Sequence, residues 1–305
     1  MNQLSKFLVG ALVLAFLALL ASIVALNFFA VAAEPGSDLA PVRGLRRLAQ
    51  TTTGVEYLQR AKLTADDGQS YDRFGNSVSI DGDTMVIGAV YDDDKGSSSG
   101  SAYVFTRDTA GDLTSGWTQV AKLTASDGAE LDYLGEKVAF DGDTIVAAAV
   151  FHDDQGSNSG SVYVFTRDTP GYLASGWTEV AKLTAHDAAE NLYFGSSLSI
   201  DSDTLVVGTT QGSGGNGTAY VFTRDTAGDL TSGWTEITNL NASDGEASDK
   251  FGYSVSIDGD TIVVGAAYDD DKGSSSGSVY VFTRDIFGDI TSGWTEIAKL
   301  NASDG

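Results

Sequence analysis

Phe251-Gly252-Tyr253-Ser254-Val255-Ser256-Ile257-Asp258-Gly259-Asp260-Thr261-Ile262-Val263-Val264-Gly265-Ala266 decides the fold of this chain. Residues 254–257 alternate polar and apolar side chains, as a half-buried strand does. Asp258-Gly259 then supplies the residues that a two-residue type I′ hairpin turn prefers, because that turn needs positive φ. Residues 261–266 form an apolar run that suits a strand buried on both faces. Beyond the loop at 268–277, residues 278–283 read as a third strand. A second loop leads to a fourth strand at 294–300, opened by Trp294.

The same text recurs along the chain. A Gly after an aromatic residue or Leu stands at Gly75, Gly135, Gly195 and Gly252, with spacings of 60, 60 and 57 residues. A Ser-Gly-Trp-Thr carries Trp117, Trp177, Trp234 and Trp294, spaced by 60, 57 and 60. A fixed period of this length marks units that cannot bury their apolar faces alone and stack on their neighbours. Four short antiparallel strands per unit make the blade of an all-β propeller. Residues 56–305 are therefore expected to form one array of four complete blades, preceded at 57–63 by a stretch that reads like a further copy of strand four. Five copies of strand four against four of the others point to part of a larger ring. A closed four-blade ring with a redundant terminal strand is the alternative.

Phe74-Gly75-Asn76-Ser77-Val78, followed by Val86-Ile87-Gly88-Ala89 and Ala102-Tyr103-Val104-Phe105, resembles the FG-GAP repeat of integrin α-chain propellers, in its short-hairpin variety. The resemblance covers the array four times over and implies a β-propeller that binds ligands at a cell surface. The chain departs from the integrin pattern in one respect that bears on function. The integrin-type calcium loop between the first two strands is reduced to Asp81-Gly82-Asp83, Asp141-Gly142-Asp143, Asp201-Ser202-Asp203 and Asp258-Gly259-Asp260. A two-residue hairpin cannot wrap six to eight oxygens around Ca²⁺, so those sites are not carried over.

The bulk chemistry narrows the partners. A net charge of −24, from 42 acidic and 18 basic side chains, argues against nucleic acid, since nothing offsets the phosphates. With no Cys, neither disulfides nor thiol chemistry are available. Residues 7–33 carry no charge and are expected to form a hydrophobic helix, so residues 1–33 read as a signal peptide or a signal anchor. The length favours a retained single-pass membrane anchor, whereas Ala30-Val31-Ala32 offers a cleavage site. Both outcomes export the repeats, to the cell surface or into the medium. Residues 34–55, with Pro, Gly and a Thr run, read as a flexible linker. Asn216-Gly217-Thr218, Asn241-Ala242-Ser243 and Asn301-Ala302-Ser303 are glycosylation sequons if the chain crosses a eukaryotic secretory pathway.

In an up-and-down blade, the loops between strands two and three share a face with those leading to the next blade, and much of the acid falls there. The candidate metal ligands are Asp92, Asp93, Asp94, Asp153, Asp154, Asp269, Asp270 and Asp271, with Ca²⁺ as the cofactor they would suit. Against this, Asp, Gly and Ser are what solvated loops are made of, and the runs lack the every-second-residue spacing of a calcium loop. The third copy has lost this acid entirely, at residues 211–216, which suggests that acid there is not needed to fold a blade. His152 and His186 lie near acids on the same face and could hold a transition metal, although drift explains them more simply. Arg107-Asp108, Arg167-Asp168, Arg224-Asp225 and Arg284-Asp285 read as exposed local pairs, and the four Trp as packing between blades rather than as sugar platforms. No catalytic constellation is legible. The expectation is a non-enzymatic propeller binding an extracellular protein or polysaccharide; an accessory propeller of a secreted hydrolase and a structural coat component are the alternatives.

Overall fold

The computed structural model describes residues 59–211 and 215–302. The expected N-terminal helix and linker, residues 1–55, lie outside them. Among the described residues no helix is long and apolar enough to cross a membrane.

Among the described residues sixteen strands form four antiparallel sheets, each a meander in chain order. Sheet one holds β1 (Phe74–Asp81), β2 (Thr84–Ala89), β3 (Ser101–Arg107) and β4 (Trp117–Leu123). Sheet two holds β5 (Lys137–Asp141), β6 (Thr144–Ala149), β7 (Ser161–Arg167) and β8 (Trp177–Leu183). Sheet three holds β9 (Ser197–Asp201), β10 (Thr204–Thr209), β11 (Thr218–Arg224) and β12 (Trp234–Leu240). Sheet four holds β13 (Phe251–Asp258), β14 (Thr261–Ala266), β15 (Ser278–Arg284) and β16 (Trp294–Asn301). The middle strands β6, β7, β10 and β11 are buried along their whole length, as their apolar runs require.

Neighbouring sheets share one core. Val86, Ala102, Val104 and Leu123 of sheet one pack against Phe140, Ile145, Ala147, Tyr163 and Phe165 of sheet two. The same faces meet between sheets two and three and between sheets three and four. In sheets one, three and four a register shift between strands three and four leaves Val120, Ile237 and Ile297 unpaired, and sheet two does the same at Val180. A bulge re-aims its side chain, and here it turns Val120, Val180 and Ile237 onto the core shared with the next sheet.

Two expectations change at the level of single residues. The hairpin pairs Asp258 with Thr261, so the turn residues are Gly259-Asp260, not Asp258-Gly259. Gly259 has φ 54° and Asp260 is not in the positive region, a pattern of the II′ kind rather than I′. The cause is Asp260 itself, whose carbonyl accepts Arg284 N–H and whose carboxylate accepts Arg284 Nε and Gly288 N. Residues 59–63 are not a strand either. A fourth strand needs a third to pair with, and the place beside β15 is taken by β16. Leu63 and Ala65 instead cover part of sheet one, over Ile87, Tyr103 and Phe105.

Candidate functional site

The candidate acids differ in what their carboxylates touch. In sheet one, Lys122 Nζ lies 2.7 Å from Asp67, 2.9 Å from Asp92 and 2.6 Å from Asp94. Asp92 is buried and also accepts Tyr103 OH at 2.8 Å and Ser101 Oγ at 2.9 Å. Sheet four repeats this cage: Lys299 Nζ sits 2.8 Å from Asp244, 2.9 Å from Asp269 and 2.5 Å from Asp271. In sheet two Lys182 bonds Asp127 and Asp154, and His152 stands where the others have the buried Asp. Asp93 and Asp153 do something different: each accepts a backbone N–H of its own loop, from Ser98 and Asn158 at 2.7 Å. Asp270 is exposed.

The candidate metal ligands are thus divided, and those that converge do so around an ammonium. Asp67, Asp92 and Asp94, and likewise Asp127, His152 and Asp154, are close enough together to hold a cation. A divalent ion entering there would have to displace the lysine.

Blade three changes meaning in this light. Its loop has no acid, and its position equivalent to Lys122, Lys182 and Lys299 is Asn239. The loop acids and the lysine are missing together, while Asp187, the counterpart of Asp67, Asp127 and Asp244, still accepts the Tyr220 hydroxyl. Deleting one partner of a buried pair strands the other, whereas deleting both can be nearly neutral. The loss in the third copy therefore does not show that these acids are dispensable to the blades that keep the lysine.

Electrostatics follow the contacts. Burial raises Asp92 and Asp269, but the hydrogen bonds from Lys122 and Lys299, with those from Tyr and Ser, outweigh it; Asp269 falls to about 2. Burial depresses the His152 imidazole, Lys182 pushes the same way, and Asp132 only partly opposes them. A depressed histidine is neutral in the native site while the unfolded chain takes up a proton near its ordinary value of about 6.5. Its contribution is present in full above about pH 6.5 and is lost as pH falls below that towards the folded value. Urea melts at about pH 7.5 and 5.5 should show this loss in the wild type, and a smaller one in His152→Asp, which restores the aspartate of blades one and four. Equal losses in both would remove His152 as the cause.

His186 is exposed and bonds Glu236, so the two histidines have separate partners. The adjacent Arg and Asp residues do not pair with each other. Arg107, Arg167, Arg224 and Arg284 bond not the adjacent Asp but Asp83, Asp143, Asp203 and Asp260 of the hairpin turn, each at 2.6 Å. Arg167, Arg224 and Arg284 are buried and reach Thr84, Thr144 and Thr204 of the preceding sheet. Each guanidinium lies over its own Trp, 4.4–4.6 Å from the ring centroid, so the Trp belong to the scaffold as expected. Asp108, Asp168, Asp225 and Asp285 accept a Thr hydroxyl of strand four instead.

The sequence reading missed the feature with most to offer a ligand. Tyr91, Tyr133, Phe151 and Tyr193 form a run of rings with successive centroids 5.3, 5.0 and 5.6 Å apart. Tyr253 and Tyr268 add a second pair at 6.2 Å. These rings lie on the loop face that also bears the acids. Phe151, Tyr193 and Tyr253 border an open cleft of about 600 Å³, whose walls come from the first strand of every sheet, including Ser77, Lys137, Ser197 and Ser254. Tyr133 and Tyr193, with Arg73 and Lys250 at the matching positions, hold φ of 54–57° without being glycine. Side chains rarely adopt this backbone conformation, at a cost of order 1–3 kcal/mol. Tyr133 and Tyr193 are kept in it by loop hydrogen bonds from their N–H groups to the carbonyls of Ser98 and Asn158. The signal was present in the sequence: Tyr91 and Phe151, and Tyr133 and Tyr193, recur at the repeat's own period.

A family model described as FG-GAP repeat matches residues 57–105, 117–165, 177–222 and 234–282. The last three matches begin at the first residue of β4, β8 and β12, and all four end in the third strand of a sheet. No curated protein matches the chain.

Proposed function

Because the chain belongs to the FG-GAP repeat family, matched over more than half its length, we propose that it is a non-enzymatic, exported propeller whose loop face binds an extracellular polysaccharide or protein. The observation that carries this reading is the aromatic run whose Phe151 and Tyr193 border the four-walled cleft. Tyr rings present broad amphipathic surface at small entropic cost, and the Ser and Asn groups beneath them can exchange hydrogen bonds with hydroxyls or amides. With a net charge of −24, the face favours neutral or basic ligands over polyanions.

The test uses the conformation of the rings. Glycine is at ease where φ is positive, so Tyr193→Gly removes a ring without straining the backbone. Wild type and Tyr193→Gly should melt within about 1 kcal/mol of each other. On an array of glycans and cell-surface proteins, the ligand retained by the wild type should be lost by at least tenfold in the variant. An array without any ligand, with and without Ca²⁺, would overturn the reading.

Ca²⁺ enters this proposal in competition with the lysines. Lys299→Met should destabilise the chain by about 2–3 kcal/mol, leaving Asp244, Asp269 and Asp271 facing one another. Millimolar Ca²⁺ should restore part of that loss in the variant and shift the wild type less. Calorimetric titration of both proteins checks this, and equal heats would contradict the displacement argument.

A further inference from the structure

Three kinds of contact recur at every internal junction between sheets, and a fourth at two of the three. An aspartate in the turn of one sheet accepts a turn N–H of the next: Asp81 from Gly142, Asp141 from Ser202, Asp201 from Gly259. An arginine of the later sheet reaches a threonine of the earlier one: Arg167 to Thr84, Arg224 to Thr144, Arg284 to Thr204. At the first and third junctions a serine hydroxyl donates to the carbonyl of the next sheet's repeated glycine, Ser77 to Gly135 and Ser197 to Gly252, whereas the second has Lys137 at that position. Finally, a glycine backbone touches the next sheet's incoming loop. A methyl group on Gly100, Gly160 or Gly217 would lie 2.2, 2.4 or 1.9 Å from the carbonyl oxygen of Leu134, Phe194 or Phe251.

At the two ends of the array the halves of this set stand without these partners among the described residues. Sheet four offers Asp258, Thr261, Ser254 and Gly277; sheet one offers the Gly82 N–H, Arg107 and the Gly75 carbonyl. A methyl group on Gly277 would meet nothing closer than 3.4 Å, and one on Gly75 nothing within 4 Å. Apolar exposure follows the same division. Ile80 is 60% exposed where Phe140, Ile200 and Ile257 are 7–9%. Leu300 is 55% exposed where Leu123, Leu183 and Leu240 are 4–5%. The bulged Ile297 is open as well.

We propose that these ends are the two halves of one interface, and that a second copy of this chain docks head to tail, its sheet one against the open face of sheet four. The partner is specified by three examples of the same junction within the chain, so the match covers hydrogen bonds as well as apolar area. Leu63 and Ala65 now occupy on sheet one the place that Leu300 and Ala302 of the other copy would take. Their exchange replaces one Leu and Ala with another, so it forfeits little packing. An interface of this kind is heterologous: it closes into a ring if the rotation allows and otherwise continues as a filament.

The test exploits that polarity with the full chain in a mild non-ionic detergent, followed by sedimentation velocity. Ile80→Asp spoils the head, and Leu300→Asp spoils the tail. Both positions are exposed, so the variants should melt like the wild type. Gly277→Ala serves as a second tail variant, since its methyl group has room in the single copy. The wild type should associate, and each variant alone should be monomeric. A one-to-one mixture of head and tail variants should regain dimers through their one intact interface. A monomeric wild type would overturn the proposal. So would association that all three variants retain, as when residues 1–58 drive it, or a mixture that fails to recover.

Discussion

Replacing Arg224 by Leu should cost about 3 kcal/mol, with the midpoint of urea unfolding falling accordingly. The side chain is 2% exposed as a residue and satisfies three groups at once: Asp203 in its own turn, Thr144 of the preceding sheet, and the Trp234 ring beneath it. Leucine can fill part of the volume but leaves the Asp203 carboxylate with only the Gly228 N–H and the Thr144 hydroxyl without this donor, and an orphaned buried polar group costs about 1–3 kcal/mol. The cation–π contact adds roughly 0.5–2 kcal/mol. Arg107→Leu is the internal control, because Arg107 has the turn aspartate and the Trp but no threonine partner among the described residues. Measured at low protein concentration, its cost should be lower by about 1 kcal/mol. Equal losses would mean that the bond between sheets contributes nothing.

Gly217→Ala should be about as damaging. The added methyl group would stand 1.9 Å from the Phe251 carbonyl oxygen, so sheets three and four must separate locally, and the φ of 80° strains any L side chain. Overpacking of a fixed backbone costs about 1–3 kcal/mol and the strain about 1 more, giving roughly 2–4 kcal/mol in all. Gly277→Ala carries the same strain, at φ 75°, without the collision. The difference between the two, about 1–3 kcal/mol, measures how closely the sheets approach. Thermal melts of the pair, supported by hydrogen exchange across β11 and β13, would show it. Losses of similar size would mean that the junction yields more easily than its hydrogen bonds suggest.

The scaffold was legible because it is written in periods. Alternation at 254–257, the apolar run at 261–266 and the turn residues between them gave strands whose bounds agree with β13 and β14 to within a few residues. What was not legible depended on partners far away in sequence. The turn moved by one residue because Asp260 is drawn to Arg284, and no local propensity encodes that. Arg224 looks like an exposed turn residue beside Asp225 until Thr144, in another sheet, is brought to it. Residues 59–63 have the letters of a fourth strand but no third strand to pair with. The loop acids were visible as candidates. Their division into lysine ligands such as Asp92 and backbone acceptors such as Asp93 needed the geometry of the loop. The aromatic run was written at the repeat period, yet rings in separate loops show a common surface only once the sheets are stacked.

The lysine cages also bear on how such a loop can change over generations. A lineage that sheds the acids first leaves an ammonium without its counterions; one that sheds the lysine first leaves carboxylates pressed together. Either single step passes through a weakened protein, so a caged loop resists alteration even where no ligand constrains it. Blade three, with Asn239 opposite an acid-free loop, has already crossed that barrier. Its loop is free to vary in length and composition, which makes it the natural place for new recognition to arise, or for a foreign sequence to be grafted.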